Sequence, residues 1–140
     1  MKDLGWHCMV IGLTGTNGAG KTAAAEHLQS NGFVCYSLAD EIRTELVSEG
    51  CQPTRENLIK TGNRLRADYG PAVLADRVKG RLRPDRNYVV DSIRNPHEVR
   101  TLRSTGSFCL LHLDAPRELR YKRVCERGGP RAPTSLDEFV

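Results

Sequence analysis

The sequence lacks a long apolar run. Its longest apolar stretches, 8–13 and 108–113, are far shorter than the roughly 18 residues that a membrane-spanning helix requires. The start of the chain, 1–6, carries Lys2 and Asp3, and a short apolar stretch leads from there directly into a motif, which argues against a secretory signal. We therefore expect a cytoplasmic protein without a membrane partner.

Patterns typical of metal or redox sites are also missing. The five cysteines are odd in number and widely spaced, with no CxxC pair, and the four histidines show no ligand-like spacing. We predict reduced cysteines and no structural metal. Cys8, Cys35 and Cys109 lie in or beside apolar runs, where a free cysteine usually packs as a small hydrophobic side chain.

Aromatic residues are scarce, at 6% of the chain. The net charge of +4 comes largely from arginines between Arg94 and Arg131, but no aromatic ladder accompanies them. Stacking on single-stranded bases therefore has little support. A small polyphosphate ligand explains these arginines more economically, and a nucleic-acid partner ranks last among the alternatives.

The length and pattern of the chain predict one α/β domain. With 140 residues, 39% hydrophobic and 27% charged, it can bury a single modest core. Predicted strands alternate with helical stretches, which favours a parallel sheet covered by helices on both faces and a ligand site at the carboxyl ends of the strands. The strands are predicted at 8–13, 33–37, 88–91 and 108–113, and the helices at 21–30, from 40, from 53 to 69, at 72–82, 96–104 and 116–126.

One motif carries clear chemistry. Residues 15–22, GTNGAGKT, match GxxxxGK[ST] between a predicted strand and a predicted helix. Glycines let backbone N–H groups and the positive end of the helix approach phosphate oxygens. We expect Lys21 to contact the β and γ phosphates of ATP and the Thr22 hydroxyl to bind Mg²⁺. The alternative is a glycine-rich connecting turn. The predicted nucleotide-binding residues are Gly15, Thr16, Asn17, Gly18, Ala19, Gly20, Lys21 and Thr22.

At these residues the chain resembles P-loop nucleoside and deoxynucleoside monophosphate kinases. It is similar in particular to adenylate-kinase-related proteins and to kinase-like domains associated with deoxycytidylate deaminases, with dephospho-CoA kinase more distant. The resemblance spans the chain, and only its first segment is highly specific. It implies a three-layer α/β/α P-loop NTPase fold and ATP- and Mg²⁺-dependent phosphoryl transfer. Its segments are IGLTGTNGAGKT, LADEIRTEL, YVVDSIRNPHEV and LHLDAPRELRYKRVCERGG.

The resemblance implies roles for four further residues. The resemblance places Asp91, at the end of a predicted strand, near the Mg²⁺. A carboxylate at the carboxyl end of a strand faces the ligand crevice. The alternative is that Asp91 is a helix cap or a turn residue. Arg94 is implied to grip the phosphate of the acceptor, and Arg43 takes a similar position on the acceptor-binding helix. Asp40 is a weaker substrate-binding candidate, since aspartate often caps a helix.

The last predicted helix carries arginines on one face. Arg120, Arg123 and Arg127 align by their three- and four-residue spacing. In similar kinases a lid at this place supplies arginines that neutralise the transferring phosphoryl group. The alternative is a solvated basic face, partly offset by Glu118 and Glu126. The candidate catalytic residues are Lys21, Asp91, Arg94, Arg123 and Arg127.

The sequence departs from the family pattern after this helix. Residues 128–133, GGPRAP, stand where such lids often carry acidic residues, and the resemblance calls for another helix, a fifth strand and an adenine-holding loop beyond Val140. We therefore expect residues 1–140 to form an incomplete P-loop kinase-like domain, with a further C-terminal domain or an oligomer as possibilities.

The leading hypothesis is a kinase that phosphorylates a nucleoside or deoxynucleoside monophosphate, and the sequence does not identify the base. One alternative is a regulatory module that binds nucleotide without turnover, as part of a larger protein such as a deoxycytidylate deaminase. Another is a dephospho-CoA kinase-like activity.

Overall fold

The computed structural model describes residues 9–129 and 132–139, which contain one four-stranded parallel sheet. The order across the sheet is β2-β3-β1-β4, so β1 lies between β3 and β4. In the register, Ile11 of β1 lies opposite Val89 of β3 and Cys109 of β4. Because the strands run in parallel, their carboxyl ends meet at one edge of the sheet. The strands are β1 (Met9–Gly15), β2 (Val34–Ser37), β3 (Tyr88–Asp91) and β4 (Ser107–Leu113).

Six helices connect and follow these strands. Thr54 caps α3 by accepting a hydrogen bond from the Asn57 N–H, and Asn95 caps α5 with Pro96 at its first position. None of the described helices is both long enough and apolar enough to cross a membrane. The helices are α1 (Lys21–Ser30), α2 (Leu38–Ser48), α3 (Arg55–Tyr69), α4 (Val73–Lys79), α5 (Pro96–Arg103) and α6 (Arg117–Arg127).

The core lies on both faces of the sheet. Val10 and Val90 pack on one face against apolar side chains of α2 to α5, including Leu74. Leu13 and Val89 pack on the other face, against α1. This alternation of neighbouring strand residues between faces follows from the period of two in a strand. It confirms the predicted α/β fold with helices on both sides of a parallel sheet.

Of the cysteines predicted to pack as small hydrophobic side chains, one does so and one does not. Cys35 is half-buried and packs against the α1 cluster, as predicted. Cys109 is exposed, so its predicted packing role is wrong. It lies on the edge strand β4, whereas α1 packs over β1, β2 and β3. Cys8 lies outside the described residues, as do 1–7 and Arg131.

The helical layer on the α2–α5 face is tied together by ion pairs. Arg77 of α4 binds Glu45 of α2 at 2.9 Å, and Arg81 after α4 binds the buried Glu41 of α2. On the same face, Arg66 of α3 lies 3.3 Å from Glu98 of α5. The first two pairs join α2 to α4 and the segment after it, and the third joins α3 to α5.

The two-sided core generates a stability prediction. Leu74→Ala should lower the free energy of unfolding by about 2–5 kcal/mol, because this leucine is only 1% exposed and its loss leaves a cavity. Leu119→Ala removes the same atoms from a helical residue that is 40% exposed, and should cost less than about 1 kcal/mol. Urea unfolding of both variants measures the difference. Equal losses would contradict the placement of the core.

Candidate active site

The glycine-rich loop packs tightly between two other elements. A Cβ on Gly15, which has φ +150°, would lie 2.1 Å from the Leu113 carbonyl oxygen at the end of β4. A Cβ on Gly18, with φ +79°, would lie 2.7 Å from the Arg120 carbonyl oxygen in α6. Neither position tolerates a side chain. The loop is therefore shaped by its contacts with β4 and α6 as well as by its own backbone.

Lys21 begins α1 and turns its side chain back into the loop. Its Nζ donates hydrogen bonds to the carbonyl oxygens of Gly15 at 3.0 Å and Thr16 at 2.9 Å. Burial lowers the pKa of Lys21 from its ordinary value of 10.5; Asp91 opposes this shift, while Arg94 and Arg127 add to it. The ammonium group thus lies in a partly dry, strongly cationic place, which favours an anionic ligand.

A cleft of about 750 Å³ opens over the loop. This volume falls in the usual range of small-molecule sites. The structure brings most of the sequence-predicted residues together around it, although they come from α1, α6 and the ends of β1 and β3. The predicted residues that line the cleft are Gly15, Asn17, Gly18, Gly20, Lys21, Thr22, Asp91, Arg94, Arg123 and Arg127.

Two predicted loop residues face elsewhere. The Thr16 hydroxyl donates to Asp114 Oδ1 at 2.9 Å, which joins the loop to the connection between β4 and α6. That bond is the main cause of the lowered pKa of Asp114. Ala19 is buried and does not line the cleft. Both residues therefore support the loop rather than border the cleft.

Helix α6 delivers the predicted arginines to the loop. Arg123 Nη1 donates to the Gly18 carbonyl oxygen at 3.1 Å, and Arg127 Nη2 lies 3.5 Å from Asn17 Oδ1. Arg120, on the same face, is mostly buried; it donates to the Ala115 carbonyl oxygen at 2.9 Å. Arg123 and Arg127 line the cleft, whereas Arg120 anchors the start of its own helix.

The turn after β3 places Asp91 and Arg94 at the cleft. Asp91 Oδ1 accepts a hydrogen bond of 2.6 Å from the N–H of Ser92, which has the left-handed φ of +64°. Arg94 lines the cleft over the loop and also a neighbouring cleft of about 480 Å³ that contains Arg100 and Arg103. Arg94 therefore stands between two cavities, at the carboxyl edge of the sheet.

Asp40 and Arg43 are not part of either cleft. Asp40 lies in the first turn of α2, which has Ser37 at its N-cap position, and Asp40 Oδ1 is 2.5 Å from Arg43 Nη1. Their side chains are 65% and 51% exposed. The two residues form an i,i+3 ion pair on the polar face of α2. Their role in substrate binding stays a prediction.

Sequence reasoning missed two acidic residues. Glu26 lines the cleft because it follows Thr22 by four residues on the same face of α1, a spacing that was visible in the sequence. Glu98 lies three residues after Asn95 in a capping box, and it is completely buried. The pattern N-x-x-E could have indicated the cap. It could not have indicated the burial or the partners from other elements.

The cleft has the groups that Mg²⁺-ATP needs. The Thr22 hydroxyl and the Asp91 carboxylate offer the oxygen donors that Mg²⁺ prefers. Gly15, Gly18 and Gly20 line the cleft without side chains, which leaves backbone as the surface near an anion. Lys21, Arg94, Arg123 and Arg127 supply positive charge from several directions. The donor set fits a metal-bound polyphosphate.

Solved structures with a similar fold include TT1252 from Thermus thermophilus. That match has a TM-score of 0.59 and 24% identity, and covers 95% of this chain and 77% of the other. A gluconokinase from Sinorhizobium meliloti 1021 matches with a TM-score of 0.54 and 19% identity, over 91% of this chain and 70% of the other. These likenesses concern the fold, and the narrower monophosphate-kinase assignment stays a prediction.

Sequence comparisons identify the family. The family described as "AAA domain" matches residues 11–137. A UPF0200 protein from Hyperthermus butylicus is 31% identical over 137 residues, which cover 96% of this chain and 74% of that protein. A UPF0200 protein from Thermococcus gammatolerans is 31% identical over 140 residues, covering 94% and 73%. The chain therefore belongs to the AAA domain family and to the UPF0200 proteins, and it has a P-loop kinase-like fold.

Proposed function

We propose that this protein transfers the γ-phosphoryl group of ATP to a nucleoside or deoxynucleoside monophosphate in the cytoplasm. The observation that carries the proposal is the convergence of one lysine and three arginines on a single cleft over a phosphate-binding loop, with Asp91 at its edge. A lone glycine-rich turn would not need these groups from α1, α6 and the end of β3 together. The resemblance to monophosphate kinases supports the choice of acceptor.

The donor binds with its β and γ phosphates along the loop. Lys21 exchanges its two neutral carbonyl partners for phosphate oxygens, because an ammonium group binds a charged acceptor more strongly than a neutral one. The positive end of α1 faces the same phosphates. Thr22 and Asp91 would hold a Mg²⁺ ion, which would supply positive charge that offsets part of the triphosphate charge. Glu26 follows Thr22 on the same face of α1 and also lines the cleft.

Transfer requires positioning more than covalent work. A phosphate oxygen of the acceptor already carries negative charge at neutral pH, so no general base is needed. It attacks the γ phosphorus while the bond from that phosphorus to the bridging oxygen of the β phosphate breaks, and ADP leaves. Arg123 and Arg127 from α6 and Arg94 from the turn after β3 stabilise the charge on the transferring group.

The acceptor is proposed to approach from the side of Arg94. That residue lines both cavities, so a phosphate bound to it lies beside the loop without overlapping the donor. Arg43 is the second candidate contact, and it would have to release Asp40 to reach an acceptor phosphate. Asp40 would then be free to accept a hydrogen bond from the acceptor. The base of the acceptor is left open.

Loss of Lys21 should abolish most turnover. With Mg²⁺-ATP and a panel of ribo- and deoxynucleoside monophosphates plus dephospho-CoA, wild-type protein should release ADP in an acceptor-dependent manner. Lys21→Ala should lower kcat/KM by about 10²- to 10³-fold, since it removes a charge aimed at the transferring phosphates. Lys60→Ala removes an exposed lysine of α3 and should leave the rate unchanged. Binding of ATP without any stimulation by an acceptor would favour the regulatory-module alternative.

The α6 arginines give a second test. Arg123→Ala should lower kcat by at least about tenfold with a smaller change in the KM for ATP, because the charge on the transferring group is greatest in the transition state. Arg86→Ala removes an exposed arginine far from the loop in sequence and serves as the matched control. Equal kcat values for the two variants would exclude a role of Arg123 in transfer.

The lowered pKa of Lys21 predicts an alkaline limit on ATP binding. The charged form of the ammonium group binds phosphate, so affinity should fall as pH rises and the proton is lost, and the fall should begin at a lower pH than for a lysine with the ordinary pKa of 10.5. Lys21→Arg keeps its charge and should show no such fall between about pH 8 and pH 10. Titration calorimetry over this range measures both proteins. If the affinity of Lys21→Arg for ATP falls with rising pH as much as that of wild type, another group causes the alkaline limit.

A further inference from the structure

Glu98 is a fully buried carboxylate that borders neither cleft. Its side chain is 0% exposed, although it lies within the first turn of α5. Burial of an ionised carboxylate is costly unless its oxygens are hydrogen-bonded. The positions of its partners therefore indicate what this residue holds in place.

Glu98 accepts one backbone hydrogen bond that is not part of a capping box. A capping box needs Glu98 to accept only the N–H of the cap residue, Asn95, and that bond is present at 3.2 Å. The same oxygen, Oε2, also accepts the N–H of Arg94 at the shorter distance of 2.6 Å. The strongest backbone contact of Glu98 is thus with the arginine that lines both cavities.

The other oxygen of Glu98 reaches a different helix. Arg66 of α3 donates from Nη2 to Glu98 Oε1 at 3.3 Å, and its side chain is 24% exposed. The carboxylate is therefore held from one side by α3 while it holds the turn after β3 from the other. Its two oxygens connect a rigid helix to the backbone of Arg94.

The turn that Glu98 holds is strained. Among the described residues, Ser92 is the one non-glycine residue with a positive φ, at +64°. Such a conformation persists only where the surroundings fix it. The β3 ladder fixes the turn before Asp91, and the two bonds to Glu98 fix it at Arg94 and Asn95. Without the Glu98 carboxylate the backbone N–H of Arg94 loses its partner. The Asn95 side chain keeps its hydrogen bond to the Pro71 carbonyl oxygen at 3.0 Å.

We propose that Glu98 is a positioning residue for Arg94: it fixes the backbone from which the guanidinium meets a phosphate group. The idea rests on the proposed function only in taking phosphate as the ligand of Arg94. Glu98 itself touches no substrate. Its contribution to phosphate binding should therefore pass entirely through Arg94.

A double-mutant cycle tests this dependence. Calorimetry should measure the affinity of inorganic tripolyphosphate with Mg²⁺ for wild type, Glu98→Gln, Arg94→Ala and the double variant. Each single variant should bind roughly tenfold more weakly. Arg94→Ala loses a charge-assisted hydrogen bond to phosphate. Glu98→Gln keeps one acceptor oxygen but loses the negative charge, and its amide N–H₂ group cannot accept a hydrogen bond from the Arg94 N–H or from Arg66. The double variant should bind no more weakly than Arg94→Ala. An equal loss from Glu98→Gln in both backgrounds would assign Glu98 a general structural role and overturn the proposal.

A matched control separates positioning from lost stability. Thr54→Ala removes the side-chain cap of α3, at a residue that borders neither cleft, and should destabilise the protein without weakening tripolyphosphate binding. Backbone amide exchange gives a readout that needs no ligand. The Arg94 amide should exchange slowly in wild type and faster in Glu98→Gln, with α1 amides unchanged.

The outcomes also distinguish this inference from the proposed function. If wild type fails to bind tripolyphosphate, the phosphate-site proposal fails, while the Arg94 amide still reports on Glu98. A rapidly exchanging Arg94 amide in wild type would overturn the positioning role even if phosphate binds and transfer occurs. That measurement needs no variant, so it stands even if Glu98→Gln does not fold.

Discussion

The packing of the glycine-rich loop against the end of β4 and the first half of α6 is the constraint on which the rest of the site depends. Leu113 and Arg120 approach Gly15 and Gly18 so closely that any Cβ there would collide with backbone. The loop cannot move without moving α6. The packing therefore sets where the arginines of α6 lie relative to the loop, and it couples the shape of the loop to the placement of α6.

This coupling also explains the distribution of charge. Lys21 donates hydrogen bonds to two carbonyl oxygens of the loop, and Arg123 donates one to the Gly18 carbonyl oxygen. The positively charged groups are therefore paired with neutral backbone oxygens of the loop. Hydrogen bonds to neutral carbonyls are weaker than those to phosphate oxygens. The cationic groups are thus held near their working positions by contacts that a polyphosphate can replace, which reduces the reorganisation that binding requires.

Much of this arrangement followed from the sequence. The match at 15–22 and the alternation of strands and helices predicted the loop, the parallel sheet and the edge that carries the cleft, because these depend on local pattern and on chain direction. Arg94 and the role of Asp91 near the loop were implied by the resemblance to monophosphate kinases. The helical spacing of Arg123 and Arg127 predicted their shared face. These inferences needed no knowledge of distances.

Other features depend on contacts between distant parts of the chain. The exposure of Cys109 and the burial of Glu98 each follow from which elements become neighbours. Cys109 belongs to an apolar run that predicts a buried strand, but in the described sheet β4 is the last strand in the order. A glutamate in the first turn of a helix predicts an exposed side chain, yet Arg66 and the turn at Arg94 enclose Glu98. Local patterns carry no information on such neighbours.

The edge strand β4 has a consequence for the behaviour of the protein in solution. In the described part of the chain β4 pairs with β1 alone, and its outward face presents Cys109 and the 41% exposed Leu111. A thiol reagent can therefore reach Cys109 on the described residues, whereas any further segment or partner that packs on this side of the sheet would block it. The reactivity of this one cysteine thus reports on what covers β4.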